Sequence, residues 1–158
     1  MKFLQKPKKS LGQNFLTDKN IIRKNEEIRK ISKKQTILEI GPGLGSLTQE
    51  IIESGFSSIP VQCDVTQSSQ VKELFDKTEK KFGRVDILVN NAGQIAEAGA
   101  VPEKITDDMF EQTVKVNLMG LWFCCREAGQ RMLSDGLGGS IINLSSVCLL
   151  YTSDAADE

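Results

Sequence analysis

The 158-residue chain contains no histidine. That removes Ser-His-Asp and Cys-His catalysis and argues against a zinc site, so no metal is expected. No apolar run approaches the roughly 20 residues that a membrane-spanning helix needs. The first residues carry Lys2, Lys6, Lys8 and Lys9 but no apolar stretch behind them, so no secretory signal is expected and the chain reads as cytoplasmic. Cysteine is sparse: Cys63, Cys124, Cys125 and Cys148 include no C-x-x-C pair, and reduced, structural thiols are expected. Tyrosine occurs once, at Tyr151, and no lysine follows Lys115.

What is present is unevenly placed. The formal net charge of -1 hides a basic start, because residues 1–34 hold eleven Lys and Arg against Asp18, Glu26 and Glu27. Such asymmetry suits either an arm facing nucleic acid or a solvated basic helix. The size and the charged and apolar fractions are those of one globular domain.

The organising stretch is Asp86-Ile87-Leu88-Val89-Asn90-Asn91-Ala92-Gly93. Its apolar run is too short for a helix and reads as a strand buried on both faces. It ends in small and amide side chains that let backbone approach a ligand. Upstream, residues 1–17 read as a loop, and Asp18 can cap a helix to about Ser32. Residues 36–40 read as a buried strand, followed by Gly41-Pro42-Gly43-Leu44-Gly45 and a helix from about Ser46 to Glu53. A strand, a glycine turn and a helix N-terminus suit the polar parts of a nucleotide, although tight turns use glycine for steric reasons alone. Residues 58–66 read as a second strand. Val71, Leu74, Phe75 and Phe82 mark one face of the next helix, which Gly83 ends. Thr106 can cap a long helix with the stripe Phe110, Val114, Leu118, Leu121, Cys125, Ala128 and Met132, with Trp122 and Phe123 as flanking packing residues. Residues 140–144 read as another buried strand.

Two resemblances attach to these residues. Lys8-Lys9-Ser10-Leu11-Gly12-Gln13-Asn14-Phe15-Leu16, followed by Leu38-Glu39-Ile40-Gly41-Pro42-Gly43-Leu44-Gly45-Ser46-Leu47-Thr48, resembles the start of a ribosomal RNA adenine dimethyltransferase, over about residues 2–50. The resemblance implies that Asn14, Leu16 and Gly41 contact S-adenosylmethionine and that the basic arm faces rRNA phosphates. The family's Asn-Leu-Pro-Tyr acceptor motif is missing. So is a clear acidic partner for the ribose.

Residues 51–147 resemble the short-chain dehydrogenase/reductase family in four motifs taken in order: Asp64-Val65, Asn90-Asn91-Ala92-Gly93, Val116-Asn117-Leu118-Met119-Gly120, and Asn143-Leu144-Ser145-Ser146-Val147. The resemblance implies NAD or NADP as cofactor and a small carbonyl or alcohol as substrate. It places Asp64 and Val65 at the adenine, and Asn90, Ala92 and Gly93 along the cofactor. It makes Ser146 the hydrogen-bond donor to the substrate oxygen and has Asn117 hold a relay water. In that family a tyrosine exchanges the substrate proton, its pKa lowered by a neighbouring lysine. Here the Tyr-x-x-x-Lys pair is absent, as are the family's opening glycine motif and the strand after it. For Ser146, a strand-end serine satisfying backbone is the structural alternative; for Asn117, a mid-helix asparagine without a role; for Asp64, a helix cap.

The last residues, 148–158, resemble neither family and look like a translated sequencing adapter, the alternative being an acidic mobile tail. Three segments are therefore expected, at 1–50, 51–147 and 148–158, with a switch between families within about residues 45–60. The fold class expected is α/β: a truncated Rossmann-like parallel sheet with helices on both faces and a basic N-terminal arm. Four strands are expected in the spatial order second-first-third-fourth, with a ligand crevice at Gly41–Gly45 and Asn90–Gly93. The functional expectation is a truncated, catalytically silent NAD(P)-dependent short-chain oxidoreductase. The alternatives are an S-adenosylmethionine-dependent rRNA dimethyltransferase fragment and a non-catalytic nucleotide- or RNA-binding fragment.

Overall fold

The structure, a computed structural model, describes residues 31–95 and 101–144. The expected N-terminal arm and its helix, and the tail, lie outside the described residues. Three four-residue strands, β1 (Ile37–Ile40), β2 (Ile87–Asn90) and β3 (Ser140–Asn143), form one sheet in the order β1-β2-β3, all parallel. Ile37 pairs with Ile87, and Ile87 with Ser140, so the three strands end level with one another.

Parallel neighbours need crossover connections, and helices supply them. Helix α1 (Ser46–Glu53) follows β1, and α2 (Ser68–Phe82) precedes β2. A longer helical stretch joins β2 to β3: α3 (Asp107–Val114), a π-helical turn (Lys115–Gly120) and α4 (Leu121–Ser134). Strand alternation sorts the helices between two faces. Leu38 and Ile40 point into a core with Val71, Phe75, Ala128 and Met132, contributed by α2 and α4. Glu39, between them, points the other way and accepts a bond from Thr48 on α1. Helices on both faces of a parallel sheet are therefore present.

The ends of the helices follow the expected chemistry. Thr106 accepts from the Met109 amide and caps α3. Gly83, at φ 86°, ends α2 behind Lys80 and Lys81. At the strands' N-terminal ends Arg84 bonds Asp86, Asp135 and the Gly138 carbonyl, and Asp86 accepts the Thr36 amide at 2.8 Å. This clasp holds the starts of β1 and β2 and the turn before β3 in line.

Three expectations are corrected. Residues 58–66 do not join the sheet. They run extended, with Val61, Cys63 and Val65 turned alternately toward the core, but make no strand pairing among the described residues, so the sheet there has three strands rather than four. The order first-third-fourth holds for the strands that remain. Residues 140–143 form a strand but not a buried one: every residue of β3 is exposed, because it is an edge strand with neither face covered among the described residues. The helical stripe holds at Ala128 and Met132 but not before or within the π-helical turn. Phe110 and Leu118 are 60% and 63% exposed, and Trp122 faces solvent at 59%, while Gly120, Cys124, Ala128 and Met132 are buried. The π-helical turn admits extra residues per turn, so a stripe extrapolated at a constant 3.6 drifts off the core across it.

Candidate functional site

The C-terminal ends of parallel strands leave backbone groups and short loops facing one way, and the candidate site lies there. Gly41 (φ 73°), Gly43 (φ 57°) and Gly45 (φ 80°) carry the chain from β1 into α1. Gly41 packs directly on the loop after β2: a Cβ placed on it would stand 2.4 Å from the Ala92 Cα. Asn91 fastens the two loops, its amide donating to Ile40 O at 2.9 Å and its side chain to Gly41 O at 3.0 Å. The predicted crevice is thus a closed seam between Gly41 and Ala92, which opens beside it into a cleft of about 990 Å³. Gly45 occupies the N-cap of α1 without a side-chain cap, so first-turn N–H groups there are free to meet an anion.

The other predicted residues gather around the same loops. Asn117, exposed in the π-helical turn, grips Gln94 from both sides: its Oδ1 accepts the Gln94 amide at 2.8 Å and its Nδ2 donates to the Gln94 carbonyl at 2.7 Å. These two bonds give Asn117 a structural task in holding the loop after β2. Gly93 lies against it, its Cβ position 3.9 Å from Asn117 Oδ1. Asn90, 5% exposed, donates to Asn143 Oδ1 at 2.9 Å across the β2–β3 register and to Cys125 Sγ at 3.4 Å. It supports the site from beneath.

Val65 sits against Gly120, where an added Cβ would fall 2.7 Å from its Cγ2, so this glycine lets the helix approach the end of the extended segment. Asp64 is exposed, and its Oδ1 accepts from both the amide and the hydroxyl of Thr66. It therefore closes an Asx turn rather than capping α2, whose N-cap is Gln67. Ser146, Asn14 and Leu16 lie outside the described residues, as does Tyr151.

Sequence reasoning passed over Glu39. It is the acid inside an apolar strand, and that break in the run was the signal. Burial pushes its carboxyl pKa up from an ordinary 4.5, while the Thr48 hydroxyl, 2.5 Å from Oε2, pulls it down by less. Its Oε1 is buried with no hydrogen-bond partner among the described residues. Two thiols, Cys63 and Cys124, are raised by the same physics. Burial first, then Cys63 and Cys125, pushes Cys124 up to about 12, and Cys63 is raised by burial and by Asp64 and Glu73. Neither is a thiolate near neutral pH, so thiol nucleophilicity is not available from them. Among the described residues no group of three or more His, Cys, Asp or Glu could hold a metal, and no helix is long and apolar enough to cross a membrane.

Comparison with known proteins gives two kinds of relative. The family matched is short chain dehydrogenase, over residues 36–155. A 3beta-hydroxysteroid dehydrogenase of Mediterraneibacter gnavus is 34% identical over 123 residues, covering 76% of this chain and 44% of that protein. A ribosomal RNA small subunit methyltransferase A of Francisella tularensis subsp. novicida is 34% identical over 125 residues, covering 73% of this chain and 47% of that one. That alignment is longer than the stretch of about 50 residues over which the methyltransferase motifs were read. Among solved structures, a short-chain type dehydrogenase/reductase from Mycobacterium marinum superposes with a TM-score of 0.64 at 27% identity, covering 76% of this chain and 49% of that one. The chain spans less than half the length of the curated relatives it matches.

Proposed function

The chain belongs to the short-chain dehydrogenase family, and from that premise we propose that it forms the nucleotide-binding portion of an NAD(P)-dependent short-chain oxidoreductase of the cytoplasm. The observation that carries the reading is the Gly41–Ala92 seam with Asn117 clamped to the same loop. It assembles bare backbone, an uncapped helix N-terminus and a fixed loop where a dinucleotide's phosphates and ribose need them. These residues fit a nicotinamide cofactor, which supplies or accepts the hydride when bound.

Each residue then has a definite task. Asp64 and Val65 border the adenine end, and Ala92 and Gly93 offer backbone to the ribose and phosphates. Asn90, Asn91 and Asn117 keep that loop in place. Asn117 spends one N–H and one lone pair on Gln94 and retains one of each, enough for a relay water. Ser146 is assigned the hydrogen bond to a small alcohol or carbonyl substrate. Cofactor binding is the expected outcome. Titration with NADH, followed by fluorescence, should saturate, and the absence of any NADH binding would refute the assignment.

The methyltransferase relative favours a second reading. Asn14, Leu16 and Gly41 would hold S-adenosylmethionine, with the basic segment on rRNA. Saturable S-adenosylmethionine binding with no response to NADH would select it. RNA binding that weakens steeply with salt and persists without either cofactor would select a non-catalytic RNA-binding role.

A further inference from the structure

Among the described residues β1 pairs on one side only. The carbonyls of Thr36 and Ile40 accept amides from β2, so by strand alternation the N–H and C=O groups of Ile37 and Glu39 point away from it. They face the cleft of about 990 Å³. The far wall of that cleft is the extended segment at residues 58–65, patterned as a strand and unpaired among the described residues. The two walls run the same way: Ile40 and Val65 border one small cavity at the site end, and Lys33, before β1, reaches Gly55, before residues 58–65, at the other. A five-residue strand between helix layers needs a slot about 4.8 Å wide, about 16 Å long and about 10 Å deep, roughly 800 Å³. The cleft has the volume of one strand, open backbone on both sides, and Ile51 of α1 and Leu74 of α2 among its lining.

We propose that this cleft is a β-augmentation site: it takes one extended segment of another polypeptide, parallel to β1, and completes the sheet. The charges at its ends specify the partner. Lys33 and Lys34 line the end where β1 begins, and Lys33 reaches across toward Gly55 on the far side. Asp64 lines the other end. A parallel strand seated there presents its own first residues to the lysines and its last to Asp64. The partner strand is therefore acidic at its start, basic at its end, and apolar on both faces between, because helices cover both sides of the slot. The proposal shares Asp64 with the oxidoreductase reading but rests on the strand edges and not on the glycine turn.

The test uses the full chain and a labelled peptide, Glu-Glu-Val-Ile-Thr-Val-Ile-Lys-Lys. Fluorescence anisotropy should show saturable binding, and amide exchange at Ile37 and Glu39 should slow by about tenfold or more when the peptide is present. The peptide with its charges exchanged end for end, and one N-methylated at alternate amides, should each bind about tenfold more weakly or worse. Equal binding of either control overturns the proposal. So does slow exchange of Ile37 and Glu39 in the protein alone: independent of concentration, it means the chain's own segment fills the slot, and rising with concentration, it means a second copy does.

Discussion

Glu39 shows how one residue can oppose its own fold. Its carboxyl is half-buried in the sheet, desolvated, and served by one hydroxyl, so its folded pKa stands above the unfolded value. A raised carboxylate pKa contributes stability only while the group is protonated. That contribution is complete below an unfolded pKa near 4.5 and is lost as pH rises through the higher folded value. Above that window the folded state carries a charge that burial disfavours. Glu39→Gln removes the titration and retains an acceptor for Thr48. Its melting temperature relative to the parent should therefore rise as pH is raised from about 4 to about 8, with the gain at the upper end on the order of 1 kcal/mol or about 2–4 °C. Thermal melts across that range decide it; a difference that is flat with pH would show that the carboxylate is solvated after all. Gly41 acts at the same scale through space instead of charge. It combines a left-handed backbone with contact against Ala92, so Gly41→Ala should open the seam and weaken NADH binding by at least about tenfold, read by the same fluorescence titration.

Between elements, the strongest fastening is Arg131 of α4. Its guanidinium bonds Asp76 and Glu79 of α2 and Glu127 of its own helix, and it lies 5.5 Å from the Phe75 ring centroid. Burial works against its charge, but the carboxylates outweigh burial and hold its pKa above the ordinary value. Asp76 is held low in return, by Arg131 first and Lys72 second. A depressed carboxylate stabilises above its unfolded pKa of about 3.8 and loses that contribution as pH falls through the folded value. Arg131→Ala should cost about 2 kcal/mol, or about 4–8 °C, at neutral pH, with a smaller deficit in acid. Arg131→Lys should recover only part, since an ammonium cannot hold the carboxylates in a planar fork. Melts of both variants at neutral and acid pH check the order. The bonds between the two helices were not legible in the sequence, because they join residues more than 50 positions apart. What was legible is local. Val71, Leu74 and Phe75 declared the buried face of α2, Thr106 its cap role, and residues 86–93 the central strand and its loop. The misread elements fail for nonlocal reasons. Apolar patterning predicted a strand at residues 58–66 and a buried strand at residues 140–144, but pairing and cover depend on which neighbours the sheet has, and among the described residues each segment lacks one. The stripe held at Ala128 and Met132 but not at Phe110 and Leu118, because the π-helical turn has a longer period than the 3.6 residues the pattern assumes.

At the scale of the whole chain, the missing neighbour has a position. The slot beside β1 separates it from residues 58–65, and the expected switch between the two resemblances lies within about residues 45–60, immediately before that segment. Both families pass there from helix to strand, so a join would keep local geometry continuous while omitting a strand, and a one-strand gap is what such an omission leaves. The match to the short-chain dehydrogenases runs through this region, from residue 36 to residue 155, as a shared helix-to-strand architecture would permit on either account. Chemistry separates the accounts better than architecture does. A chain selected as a unit agrees with itself across levels, whereas here the basic segment meets no Asn-Leu-Pro-Tyr acceptor motif in the sequence. We propose that the chain is a join of two coding sequences. Amplification across the junction from source DNA tests this directly. Separate products should be recovered, one continuing a dimethyltransferase past Ser46 and one continuing a reductase past Val147 into Tyr-x-x-x-Lys. A single unbroken product encoding residues 47–65 in one frame, in independent samples, would instead establish a natural protein whose sheet is built one strand short.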